Sequence, residues 1–143
     1  MSEHSNWPEW IYVGVVIALM CWVGAEAWQA ERLVEHVPAD AELIKVIGQQ
    51  WFWTFEYEDG TKTIGDLYVE SGKAYKFEIH SKDVIHSFNI HDYVVLMDAV
   101  PGRVTTVWFA PVEVGTHDIQ CREYCGLIHY NMRGTLHVEE AST

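Results

Sequence analysis

Positive charge is scarce in this sequence. Nine Lys and Arg stand against 21 Asp and Glu, for a formal net charge of −12 over 143 residues. A chain this acidic lacks the basic face that displaces counterions from phosphate. That excludes a nucleic-acid binder and favours a cationic protein partner. No Lys or Arg occurs before Arg32, so the charged n-region of a secretory signal peptide is missing, although Ala25-Glu26-Ala27 resembles a cleavage site. Cysteine is sparse as well: three residues are too few for a disulfide framework, and the number is odd. Internal repeats and low-complexity stretches are absent. Aromatic and apolar residues, by contrast, are plentiful. Seven Trp, seven Tyr and a hydrophobic share of 49% exclude a disordered chain, and the length suits one globular domain with room for one extra element.

Charge of either sign is absent from Trp10 to Ala25, WIYVGVVIALMCWVGA. With the flanking aromatics, Trp7 to Trp28 would make a helix of roughly 33 Å, enough to cross a hydrocarbon core of ~30 Å. Trp7 and Trp10 at one end, and Trp22 and Trp28 at the other, suit the two interfaces. Cys21 lies within the apolar run and reads as a packing residue. A buried core helix would carry a polar stripe, and this stretch has none, so a retained membrane anchor is expected. Residues 26–37 read as an amphipathic helical extension ended by Pro38. The expected organisation is a tail, transmembrane helix and extension over 1–37, then a soluble domain over 38–143.

Beyond Pro38 the period changes. Leu43–Ile47 opens a β-rich region, and Trp51, Trp53, Phe55 and Tyr57 alternate with Phe52, Thr54 and Glu56, which places Trp51 and Trp53 on one strand face. Asp59-Gly60 is a hairpin signal. Further strands are expected at Asp66–Val69, Ala74–Ile79, Ser87–Ile90, Val104–Phe109, Gly115–Ile119 and Thr135–Val138. Short strands at this spacing predict a mainly β sandwich or barrel.

The chemistry concentrates in Cys121-Arg-Glu-Tyr-Cys125-Gly-Leu-Ile-His129-Tyr-Asn-Met132. Two thiols, an imidazole and a thioether fall between two expected strands, and this soft set suits copper. His86, in Asp83-Val-Ile-His86-Ser-Phe, is the best-placed donor from elsewhere in the chain. Other readings of the same residues are a Cys121–Cys125 disulfide, a structural zinc site, for which one C-x3-C is a poor match, and a mononuclear blue-copper site of His86, Cys125, His129 and Met132. The last leaves Cys121 unused, whereas two thiolates sharing two coppers use every soft ligand.

C-x-E-x-C-G-x-x-H-x-x-M with an upstream D-V-x-H-S-F resembles the CuA signature of cytochrome c oxidase subunit II. Ile47-Gly-Gln-Gln-Trp51-Phe-Trp53-Thr-Phe55-Glu-Tyr57 is similar to the family's aromatic segment, and Asp98-Ala-Val-Pro101-Gly102-Arg103 to the stretch between its first His ligand and its Cys loop. One span before the domain looks more like the short subunit II of B-family haem–copper oxidases. Quinol-oxidase subunits share the fold but lack these copper ligands.

The resemblance implies a cupredoxin-like β-sandwich preceded by one N-terminal transmembrane helix. It implies a dinuclear copper centre in which Cys121 and Cys125 bridge the metals, His86 and His129 each hold one, and Met132 and the carbonyl of Glu123 are weak ligands. The Glu123 side chain would help hold a Mg2+ at the boundary with the catalytic subunit. Trp51 corresponds to the aromatic residue near which cytochrome c donates its electron. The expected partners are the haem–copper catalytic subunit I, cytochrome c and the lipid bilayer. The chain would sit in the plasma membrane, N-terminus cytoplasmic and copper domain periplasmic or extracellular. His80, His91, His117 and His137 are expected to serve as surface or core residues.

Overall fold

The structure is a computed structural model that describes residues 6–141. It comprises two compact units that part between His36 and Val37.

The first unit is one helix, α1 (Trp7–Glu35), with Pro8 in its first turn, where a missing N–H costs no hydrogen bond. None of its residues is buried, and its apolar side chains point outward all round. It is the one helix among the described residues that is long and apolar enough to cross a membrane. Near its C-terminal end the Arg32 guanidinium lies over the Trp28 ring, 5.2 Å from the centroid. The helix stops at Glu35, and His36 takes an extended conformation two residues before Pro38.

The second unit is a sandwich of two five-stranded sheets. One has the order β3 (Lys62–Ile64), β2 (Phe52–Tyr57), β1 (Glu42–Gln49), β5 (Tyr75–Ser81), β8 (Thr105–Phe109). The other runs β4 (Asp66–Glu70), β10 (Arg133–Glu139), β9 (Gly115–Cys121), β6 (His86–Ile90), β7 (Val95–Ala99). Pairing is antiparallel except for β1 with β5 and β10 with β4. Alternation drives the packing. Ile44 and Val46 of β1, Trp53 and Phe55 of β2, and Phe77 and Ile79 of β5 turn inward to meet Phe88, Ile119 and Leu136 of the facing sheet. Phe88 sits among Trp53, Phe55 and Phe77 in edge-on contacts, with centroids 5.2 to 6.2 Å apart.

Two strands lie outside the expected set. The edge strand β3 has only three residues, too short for a period to show. Strand β7 sits in the apolar run Val94-Val95-Leu96-Met97, where Val94 and Leu96 are exposed and mask the alternation. A correction concerns Trp51, which is not on a strand face with Trp53. It lies in the turn between β1 and β2, and β2 begins at Phe52.

Strand directions place the ends of β1, β5 and β9 and the starts of β2, β6, β8 and β10 at one end of the sandwich. The sequence-predicted site residues gather there.

Candidate metal centre

Strand register delivers the first donors. Phe88 of β6 pairs with Cys121 of β9, so the two side chains share the inward face. His86, two residues before Phe88, points the same way. Cys121 closes β9, and its backbone N–H donates to the carbonyl of Met132 just ahead of β10, at 3.1 Å. The loop between them therefore starts and ends on the donor residues. Within it His129–Asn131 forms a 3-10 turn that carries His129 back toward the thiols.

The resulting cluster is compact. Donor atoms of His86, Cys121 and Cys125 all lie within 4.8 Å of one another, and all three residues are buried. The two sulfurs are 3.8 Å apart and unbonded. Cys125 Sγ is 3.5 Å from His129 Nδ1 and 3.6 Å from the sulfur of buried Met132. The Cys121 thiol donates to the carbonyl of Glu123 at 3.3 Å. Every ligand position named from the sequence is in this cluster. The Glu123 carboxylate itself is on an exposed residue.

Electrostatics separate the thiols. Burial pushes Cys121 up, but the neighbouring imidazoles of His86 and His129 and the backbone at Ser87 and Glu123 outweigh it and bring the thiol down to about 7. Cys125 is pushed up to about 12, first by burial and then by the charge of Cys121 beside it. Two adjacent buried thiols thus resist joint ionisation, which a bound cation would favour.

The residues fit a soft metal. His86 Nε2 is held by Asp83 Oδ1 at 2.7 Å, which leaves Nδ1 buried with no hydrogen-bond partner among the described atoms. A buried ring nitrogen without a partner is costly unless something binds it. Here it faces two thiols in a cluster that also contains a thioether, a donor set that favours copper over zinc. Its carboxylate-held far nitrogen follows the usual pattern of metal-binding histidines.

Two other histidines are paired elsewhere. His117 Nδ1 pairs with Asp92 at 2.7 Å, and His137 Nε2 pairs with Asp66 at 3.0 Å while its ring stacks on Tyr68. His80 lies on β5 and is not among the clustered donors. Sequence reasoning missed the supports. A Cβ at Gly48 would lie 2.9 Å from Trp53 and 3.1 Å from the His86 ring, so a side chain there would force Trp53 aside and press on His86. Gln50 touches both halves of the site, its N–H donating to Asp83 Oδ2 and its amide to the Cys125 carbonyl, each at 2.7 Å. Neither contact has a signal in sequence, because the partners lie 33 and 75 residues away.

A two-sheet sandwich with a buried His–Cys–Cys–Met cluster at one end defines the class, a cupredoxin-like domain with a candidate copper site. Residues 66–138, just over half of the chain, match the family described as cytochrome c oxidase subunit II, periplasmic domain. The chain belongs to this family. It is 33% identical over 173 residues to the alternative cytochrome c oxidase subunit 2 of Bradyrhizobium diazoefficiens, which covers 98% of this chain and 61% of that protein. It is 37% identical over 91 residues to cytochrome c oxidase subunit 2 of Thermostichus vulcanus, covering 64% of this chain and 28% of that one. The chain therefore spans less than two thirds of either relative. Among solved structures, the periplasmic domain of subunit II of cytochrome oxidase (CoxB) of Bradyrhizobium japonicum superposes with a TM-score of 0.70. The two are 29% identical over 73% of this chain and 88% of that one.

Proposed function

We propose that the chain is the electron-entry subunit of a haem–copper terminal oxidase, accepting electrons from a cytochrome c and passing them to haem in the catalytic subunit I. The carrying observation is the pair of buried, unbonded thiols 3.8 Å apart, flanked by the partnerless Nδ1 of His86 and by His129 and Met132.

Cys121 and Cys125 would bridge two coppers, His86 and His129 would each hold one, and Met132 and the Glu123 carbonyl would complete the set weakly. When bound, two coppers sharing two thiolates supply a one-electron couple spread over both metals. The protein's part is to hold the donors. Asp83 fixes the His86 tautomer, Phe88 and Trp53 wall the site on the core side, and β9 and β10 clamp the loop ends. Preformed donors of this kind leave little to rearrange as charge arrives. Trp51, half-buried beside Gly126 of the metal loop, is the proposed entry point.

Residues 36–143 hold 16 acidic and 8 basic residues, a net charge of −8 that would steer a Lys-rich cytochrome. The apolar helix α1 would anchor the protein as a single-pass subunit in the plasma membrane. Its N-terminus would be cytoplasmic and the copper domain on the periplasmic or extracellular side. Residues 1–5 of that tail lie outside the described residues. The exposed Glu123 carboxylate is free to join a Mg2+ at the boundary with subunit I.

Stopped-flow mixing of the copper-loaded full chain with a reduced c-type cytochrome tests the reading. Fast oxidation of the cytochrome that slows as salt rises, and slows further in Trp51→Ala, is expected. Absence of transfer would refute the function, and a rate flat in salt would refute the steering.

A further inference from the structure

The two loops that carry the donors meet on one residue. His86 follows the β5–β6 connection, and Cys125 lies in the β9–β10 loop. Between them stands the turn after β1. Its Gln50 N–H donates to Asp83 Oδ2 at 2.7 Å, while the other carboxylate oxygen of Asp83 takes His86 Nε2 at the same distance. The Gln50 side-chain amide reaches the opposite way and donates to the Cys125 carbonyl, again at 2.7 Å. The next residue of the loop confirms how close the approach is. Gly126 has φ +125, and a Cβ there would lie 2.8 Å from Gln50 Nε2 and 3.2 Å from the Trp51 indole nitrogen.

We infer that Gln50 is a positioning residue for the metal centre, a clamp whose main chain sets His86 through Asp83 and whose side chain sets the Cys125 backbone. The inference rests on the copper reading above. A turn glutamine is ordinarily free to stay in water and keep its rotamers, and fixing a long side chain costs entropy. Here the amide instead satisfies a carbonyl whose own residue supplies a sulfur. Rotation of that carbonyl would turn the Cys125 Cα–Cβ direction and change the separation of the thiols. The clamp also ties Trp51 to the loop it would feed, since Trp51 is its chain neighbour.

The test uses the full chain in detergent. Gln50→Met keeps side-chain length and removes the N–H donors, leaving the main-chain bond to Asp83 in place. Gln50→Asn keeps an amide but is too short to reach. Three readouts are taken: thiol modification by a maleimide in the metal-free chain, release of bound copper to a chelator, and the electron paramagnetic resonance hyperfine pattern. Both variants are expected to react with maleimide about tenfold faster at Cys125, in line with loss of one buried hydrogen bond. Copper release should rise roughly tenfold to a hundredfold, the usual scale for outer partners of metal ligands. The hyperfine pattern should change, which a general loss of stability would not cause. Wild-type behaviour of both variants in all three would overturn the inference. If one variant misfolds by circular dichroism, the other carries the same test. If the unsubstituted chain takes up fewer than two coppers, the parent reading fails, and the maleimide rates still decide whether Gln50 holds the loop.

Discussion

The two ends of the sandwich treat their polar groups in opposite ways. At the end away from the cluster, polar side chains are paired within the protein. Tyr57 takes the Tyr68 N–H at 2.8 Å, Tyr75 takes the Glu70 N–H at 2.8 Å, Tyr93 donates to the Glu113 carbonyl at 3.1 Å, and His117 has Asp92. At the cluster end, buried nitrogens are left over. Trp51 Nε1, Trp53 Nε1, His80 Nε2 and His86 Nδ1 have no hydrogen-bond partner among the described atoms, and two thiols stand side by side without a bond. The buried nitrogens without partners fall at the end that carries the thiols, an arrangement that suits a bound ligand.

Substitutions can break or sharpen that contrast. The largest effect belongs to Cys121→Ser, which should lower copper uptake from two equivalents to one or none by metal analysis while leaving the metal-free urea midpoint near that of the parent. A mononuclear site would instead keep its one copper in this variant. Next is the core shared by both ends. Phe88→Ala, at a position with no exposure, should cost about 3–5 kcal/mol in denaturant unfolding. A smaller loss is expected from Gly126→Ala, where a left-handed φ and the approach of Gln50 combine. Roughly 1–3 kcal/mol should appear together with weaker copper binding, so this change marks the metal end twice. The mildest is Tyr75→Phe at the paired end. Loss of the hydroxyl that accepts the Glu70 N–H should cost about 1 kcal/mol with copper stoichiometry and spectrum unchanged. If Tyr75→Phe altered the copper signal, the division of labour between the ends would be wrong.

Much of this was legible in the sequence because it is local. The apolar run of α1 carries its meaning in composition alone, and Cys121, Cys125, His129 and Met132 fall within twelve residues, so their convergence needs only a short loop. His86 was reachable through its motif, while His80, close by in sequence, could not be separated from it by spacing. The strand alternation in β1, β2 and β5 exposed the sandwich. What was hidden depends on pairing across distance. Strand β7 was masked by exposed Leu96, Trp51 looked like a strand residue because the turn before Phe52 leaves no mark, and Gln50 and Asp83 acquire their roles only when loops far apart in the chain meet.

Copper titration of the full chain, followed by electron paramagnetic resonance, tests the central claim most directly. The account predicts saturation at two equivalents per chain, with one unpaired electron coupled equally to both copper nuclei. Saturation at one equivalent with a single-copper signal, or thiols that oxidise to a disulfide and take up no copper, would contradict it.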